Sequence, residues 1–235
     1  MIPYTAEAAL HRIHESGQPA RSSPQSFGLS DLQSEAVVAA AVGGAIAGAA
    51  LSGFGSYKLG RRPVILMSSG LFTVGAGLMA VAGTFTELLV GRLIVGVGIG
   101  CASTTVPLYI AEASPPQIRG RLVSLNSALV TGGQFFASVL DALLADTEGG
   151  WRYMLGLAAV PAVVQFVGFL ALPESPRYLV SQGMHEEART ALVKIRGEQD
   201  IDVELEHIKA EVQGSKLEGA NIWEDLRSPP VAVAY

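Results

Sequence analysis

Residues Gly91–Gly120 read GRLIVGVGIGCASTTVPLYIAEASPPQIRG, and the reading of this stretch decides the fold. Between Gly91 and Ala111 the only ionisable groups are Arg92, Cys101 and Tyr109. A helix over such a run, rising 1.5 Å per residue, crosses the roughly 30 Å of hydrocarbon in a bilayer. The run therefore predicts a membrane span with one arginine near its start and a charged, proline-bearing exit. A charge inside a span points to function by default.

Four further apolar runs flank it, so the spans are expected over 36–57, 64–82, 88–110, 122–145 and 154–172. Each has the length a crossing helix needs, about 20 residues. Composition agrees, with 49% hydrophobic and only 16% charged residues; soluble domains carry about 25% charged residues. Most of the 27 glycines lie inside the apolar runs, where small residues let membrane helices approach closely. The fold class is thus an all-α polytopic membrane protein. Residues 1–33 are expected to be a flexible polar segment, with Gln18-Pro19 and Ser22-Ser23-Pro24 as turn signals and no apolar core of a signal peptide. Residues 34–176 hold the spans. Residues 177–235 form a cytoplasmic helical linker, in which Glu186–Val212 is amphipathic through Leu192, Ile195, Leu205, Ile208 and Val212.

Basic residues set the orientation. Lys58, Arg61 and Arg62 follow the first span, Arg119 and Arg121 the third, and Arg177, Arg189, Lys194 and Arg196 the fifth. The positive-inside rule places these three loops in the cytoplasm. With five spans the N-terminus would then lie outside, which suggests a leading helix beyond those counted. A net charge of −5 offers no basic patch, so no nucleic-acid partner is expected. One cysteine excludes an intrachain disulfide. His11, His14, His185 and His207 lie outside the spans without metal-ligand spacing, and there is neither a nucleophile elbow nor a phosphate loop. No enzyme, metal or cofactor is expected.

Three sets of residues could carry chemistry. In the fourth span, Ser124, Ser127, Thr131, Gln134, Ser138 and Asp141 are spaced three, four, three, four, three, which puts all six on one helix face. Such a seam must face protein, water or a polar ligand, because lipid offers no hydrogen bond. For the serines and threonine a packing seam is the plainer reading. Gln134 is large and near mid-span, with donors and an acceptor suited to hydroxyl groups. Arg92 either snorkels to the outer interface or costs about 3 kcal/mol for its depth and requires a carboxylate. Glu87 belongs to the preceding loop, so Asp141 or a helix outside this chain would have to supply it. The third set is Glu112 with Arg119, Glu174 with Arg177, and Arg61-Arg62. It reads as a cytoplasmic rim of exposed ion pairs worth roughly 0–1 kcal/mol each. Weak pairs of this kind suit a latch between two conformations, the alternative being a plain solvated rim.

The motifs GRLIVGVGIG, PLYIAEASPPQIRGRL, GWRYMLGLAAVPA and PESPRYL resemble the sugar porters of the major facilitator superfamily. Through TGGQFFASVLDA and WRYMLGLAAVPAVVQFVGFLALPESPR the chain is most similar to proton-coupled myo-inositol transporters. The resemblance implies a fold of twelve helices in two six-helix halves, with substrate at the midplane between them. These five spans would be helices two to six, a partial N-terminal half that looks truncated. It further implies that Gln134 and Ser127 face substrate hydroxyls beside Asn126 and Thr131, with Ser127 standing where glutamine is frequent. Arg92 would match an arginine that pairs with a helix-one aspartate and couples the proton. Arg61, Arg62, Glu112, Arg119, Glu174 and Arg177 would match cytoplasmic gate charges, with Tyr57 where the loop motif usually has an acid. The expected activity is proton-coupled alternating-access transport of myo-inositol or a related polyol or hexose. The expected setting is the plasma membrane, with a lipid bilayer, a small polyol or sugar, and a full-length transporter or the missing half as partners. The alternative is a truncated, non-transporting product that binds or titrates a full-length partner.

Overall fold

The computed structural model describes residues 30–144, 147, 150–197 and 201–227, with backbone alone at 151 and 216–227. The helices are α1 (Asp31–Lys58), α2 (Arg61–Val81), α3 (Phe85–Ala113), α4 (Pro116–Leu144), α5 (Gly150–Leu157), α6 (Ala159–Ala171), α7 (Pro176–Ser181), α8 (His185–Arg196) and α9 (Ile201–Arg227). Among the described residues, five stretches are long and apolar enough to cross a membrane: α1, α2, α3, α4 and Arg152–Ala171, which joins α5 to α6. The chain is a multi-pass, all-α membrane protein. It divides into two units, Met1–Leu172 and Pro173–Tyr235.

The helices run past the apolar stretches that announce them, because capping extends them into polar sequence. Ser30 Oγ accepts from the Gln33 amide, while Gln33 Oε1 accepts from the Ser30 amide. This reciprocal box satisfies two orphan donors of the first turn and starts α1 at Asp31. The end of the polar segment expected over 1–33 is therefore helical; the part before Ser30 lies outside the described residues. Thr84 and Glu87 build the same box at the start of α3. The fifth span is interrupted at Ala158. Three residues later, Pro161 lacks an N–H for the Leu157 carbonyl and its ring crowds that carbonyl.

In the first unit α3 packs along both α1 and α2, and α2 packs on α5 and α6. The α1–α3 seam is built from small residues. Gly44, Gly48, Ser52 and Ser56 recur every four residues on α1 and are buried, facing Gly96, Gly100, Thr104 and Thr105. A methyl group on Gly48 would run into the Val97 carbonyl, and one on Gly100 into the Ala45 carbonyl. The close approach lets Ser52 and Thr104 share a 2.5 Å hydrogen bond and Ser56 and Thr105 a 3.3 Å one. In hydrocarbon, where apolar burial drives nothing, such packing and interhelical hydrogen bonding hold helices together. Larger side chains, Val37, Met79, Leu88 and Val95, fill the space nearer the far ends of these helices. α4 stands apart from this core. It touches α3 and α5, and none of its described residues is buried.

The second unit has its own apolar core. Tyr178, Leu179 and Val180 of α7, Ala188, Ala191 and Leu192 of α8, and Ile201, Leu205 and Val212 of α9 form it. Its amphipathic stretch forms two helices. Gly197, at φ 85°, takes a conformation that side chains disfavour and ends α8.

Candidate functional site

The polar seam of α4 is present as a continuous face. At about 100° per residue, Ser124, Ser127, Thr131, Gln134, Ser138 and Asp141 span an arc of about 100°, with Leu125, Leu129, Phe136 and Leu143 on the opposite side. Those four apolar side chains are exposed. Ser127, Thr131 and Ser138 are exposed too, and each donates its hydroxyl to the carbonyl four residues back, on Val123, Ser127 and Gln134. Their outward oxygens are thus left as acceptors. Gln134 and Asn126 are half-buried. All of these residues lie on one helix, and their hydroxyl and amide groups are chemically suited to a hydroxyl-bearing ligand.

Arg92 is partly buried on α3, and its Nε has no hydrogen-bond acceptor among the described residues. Neither candidate carboxylate meets it. Glu87 is occupied by the Gly83 and Thr84 amides in the capping box, and no ion pair among the described residues joins Arg92 to Asp141. A charged side chain within a helix of membrane-crossing length is a candidate functional group by default.

The rim charges are paired differently from the sequence expectation. Glu112 does not pair with Arg119 seven residues on. It takes Arg61, from the start of α2, at 2.7 Å. The pair is not an exposed one, since the side chains are 16% and 7% accessible. Arg61 also donates to the Ser56 carbonyl. Arg119 is exposed beyond the Pro115-Pro116 turn, in the first turn of α4. Arg62 reaches backbone: its Nε and Nη2 donate to the Phe169 and Leu170 carbonyls at 3.0 and 2.9 Å. These contacts bring the α1–α2 turn, the end of α3 and the end of α6 to one end of the bundle. In the second unit, Arg177 pairs with Glu211 at 3.1 Å rather than with Glu174, whose Oε1 accepts from the Ser175 amide. In both cases the sequence neighbours belong to different elements: Glu112 is in the last turn of α3 and Arg119 in the first turn of α4, while Glu174 precedes α7 and Arg177 lies within it.

One polar contact had no counterpart in the sequence reading. Arg152, at the start of the fifth span, donates to the Ala82 carbonyl at 2.9 Å. The signal was present as a lone arginine in an otherwise acidic loop, yet nothing in the sequence indicates that the end of α2 lies beside it.

A family model described as sugar (and other) transporter matches residues 4–231. The proton myo-inositol cotransporter of Homo sapiens is 52% identical over 204 residues, covering 85% of this chain and 31% of that protein. Probable inositol transporter 2 of Arabidopsis thaliana is 49% identical, over 78% of this chain and 32% of that protein. Among solved structures, the proton:xylose symporter XylE bound to 6-bromo-6-deoxy-D-glucose superposes with a TM-score of 0.75 at 28% identity, over 94% of this chain and 51% of that one. The chain spans about a third of the length of the curated relatives it matches.

Proposed function

The chain belongs to the sugar (and other) transporter family, and from that premise we propose that it contributes to proton-coupled, alternating-access transport of myo-inositol or a related polyol or hexose across the plasma membrane. Gln134, Asn126, Ser127 and Thr131 bind substrate hydroxyls in this reading. Arg92 carries the proton coupling, by holding or releasing a carboxylate according to whether that partner is protonated. Arg61, Arg62, Glu112, Arg119, Glu174 and Arg177 serve the inner gate, with Arg61–Glu112 as the contact that opens and closes.

The single observation that carries the reading is the six-residue polar face on a helix of membrane-crossing length. A polar face in lipid has to be covered or used. A polyol, with a hydroxyl on most carbons, matches a row of acceptors that includes the amide of Gln134, with the Asn126 amide about 100° round the helix from Ser127. The names of the human and Arabidopsis relatives support inositol over other polyols. The test is binding of tritiated myo-inositol to the chain in lipid nanodiscs. Gln134→Ala should weaken it about tenfold, the loss of one or two hydrogen bonds of roughly 1 kcal/mol. Unchanged affinity in Gln134→Ala would remove this residue from the site.

A second reading is favoured by one observation, the absence of any buried residue on α4 among those described. Here the 235 residues do not transport by themselves and instead associate with a full-length membrane partner. Uptake of labelled myo-inositol by cells expressing only these residues separates the two. Uptake above an empty-vector control supports transport by the chain alone, and background uptake supports the second reading.

A further inference from the structure

α2 and the fifth span run antiparallel, and each begins with an arginine that reaches the end of the other. Arg62, in the first turn of α2, donates to the Phe169 and Leu170 carbonyls in the last turn of α6. At the opposite end Arg152, in the first turns of α5, donates to the carbonyl of Ala82, the residue that closes α2. A helix leaves its last four carbonyls without intrahelical donors and carries partial negative charge there. Neither C-terminus has a basic residue of its own in its last turn. The cationic partner that the dipole calls for is supplied in both cases by the neighbouring helix.

We infer that Arg62 and Arg152 form a reciprocal clamp, which locks α2 and α5–α6 into one rigid pair and positions Arg61 for Glu112. The positioning follows from helix geometry. Arg61 and Arg62 are consecutive, so they project about 100° apart: one reaches α3 and the other α6. Anchoring Arg62 on two carbonyls fixes the rotation of the first turn of α2 and with it the direction of Arg61. The gate contact between α2 and α3 can then break without loosening α2 from the fifth span. Arg62 thereby serves the proposed inner gate as a positioning residue, by holding Arg61 in register with Glu112.

Amide hydrogen exchange of the whole chain in nanodiscs, read by mass spectrometry, tests this against a bundle whose rim arginines are merely solvated. Arg152→Gln should raise exchange roughly tenfold in peptides covering 79–84 and leave 108–113 unchanged. Arg62→Gln should raise exchange at 166–171 and also at 108–113, because the Arg61–Glu112 contact loses its registration. Arg61→Gln should affect 108–113 alone. The lysine variants keep the assay decisive where glutamine prevents folding. Arg62→Lys should behave like Arg62→Gln, since an ammonium does not reproduce a planar fork across two carbonyls, whereas Arg152→Lys should recover part of the protection. If Arg62→Gln leaves 108–113 unchanged, the positioning role is wrong. If neither Arg62→Gln nor Arg152→Gln changes exchange at the helix end it contacts, the clamp is wrong.

Discussion

Replacing Gly100 by alanine adds one methyl group to the seam between α1 and α3. Built on the present backbone, that carbon lies 2.8 Å from the Ala49 amide nitrogen and 2.9 Å from the Ala45 carbonyl carbon, with the Ala45 oxygen closer still. Ordinary contact begins near 3.4 Å, and both obstacles are backbone, so no rotamer change relieves them. The helices must part by roughly half an ångström or more. Overpacking of this kind costs about 1–3 kcal/mol. Parting also stretches the Ser52–Thr104 hydrogen bond one turn away, worth about 1 kcal/mol. The expected destabilisation is therefore about 2–4 kcal/mol. Gly43→Ala is the matched control, because a methyl there meets nothing within 4 Å, and alanine is the better helix former by about 0.5–1 kcal/mol. One and the same substitution should lower the midpoint of unfolding at position 100 and leave it unchanged or raised at position 43. Thermal unfolding of the two variants in detergent micelles, followed by circular dichroism, measures the difference. If Gly100→Ala unfolds at or above the midpoint of Gly43→Ala, the small-residue seam does not hold these helices.

Three other expectations follow from the same geometry. Removing one partner of the half-buried Arg61–Glu112 pair, as in Glu112→Gln, should cost about 3 kcal/mol, the usual penalty for stranding a buried charge. The double swap Arg61→Glu with Glu112→Arg should recover most of it in the same unfolding assay, and a swap no better than the single variant would deny the pairing. Leu192 is fully buried in the second unit, so Leu192→Ala should cost about 2–5 kcal/mol, seen as faster hydrogen exchange across α7 and α8 with α1–α3 unaltered. In a transport-competent protein carrying this stretch, Arg92→Leu should abolish the pH dependence of inositol uptake while membrane insertion persists; surviving pH dependence would assign Arg92 to the interface instead.

How much of this was legible beforehand depends on the range of the interaction involved. Five membrane crossings and the polar face of α4 are periodicities within one helix. They are written in the order of residues, because an α-helix converts a spacing of three or four into a shared face. Glycines inside the apolar runs pointed to close packing without singling out the Gly44–Gly48–Ser52–Ser56 ladder. The break in the fifth span at Ala158 was missed although Pro161 announces it locally. The partners of the charges were a different matter. Glu112 and Arg119 looked like a pair because they are near in sequence, yet Glu112 reaches Arg61, 51 residues away. Arg62 looked like a loop and gate charge and Arg152 carried no assignment, yet both donate to helix ends more than 65 residues distant.

The sequence by itself determined that the chain lives in a bilayer, how many times it can cross, and which residues cannot face lipid. These follow from transfer free energies and helical repeat, which need no neighbour to be specified. Only the tertiary structure decided which carbonyl or carboxylate each arginine meets, and how closely α1 and α3 approach. In a medium without competing water, a donor takes whichever acceptor packing brings within about 3 Å, and that choice belongs to the arrangement of helices rather than to any one of them.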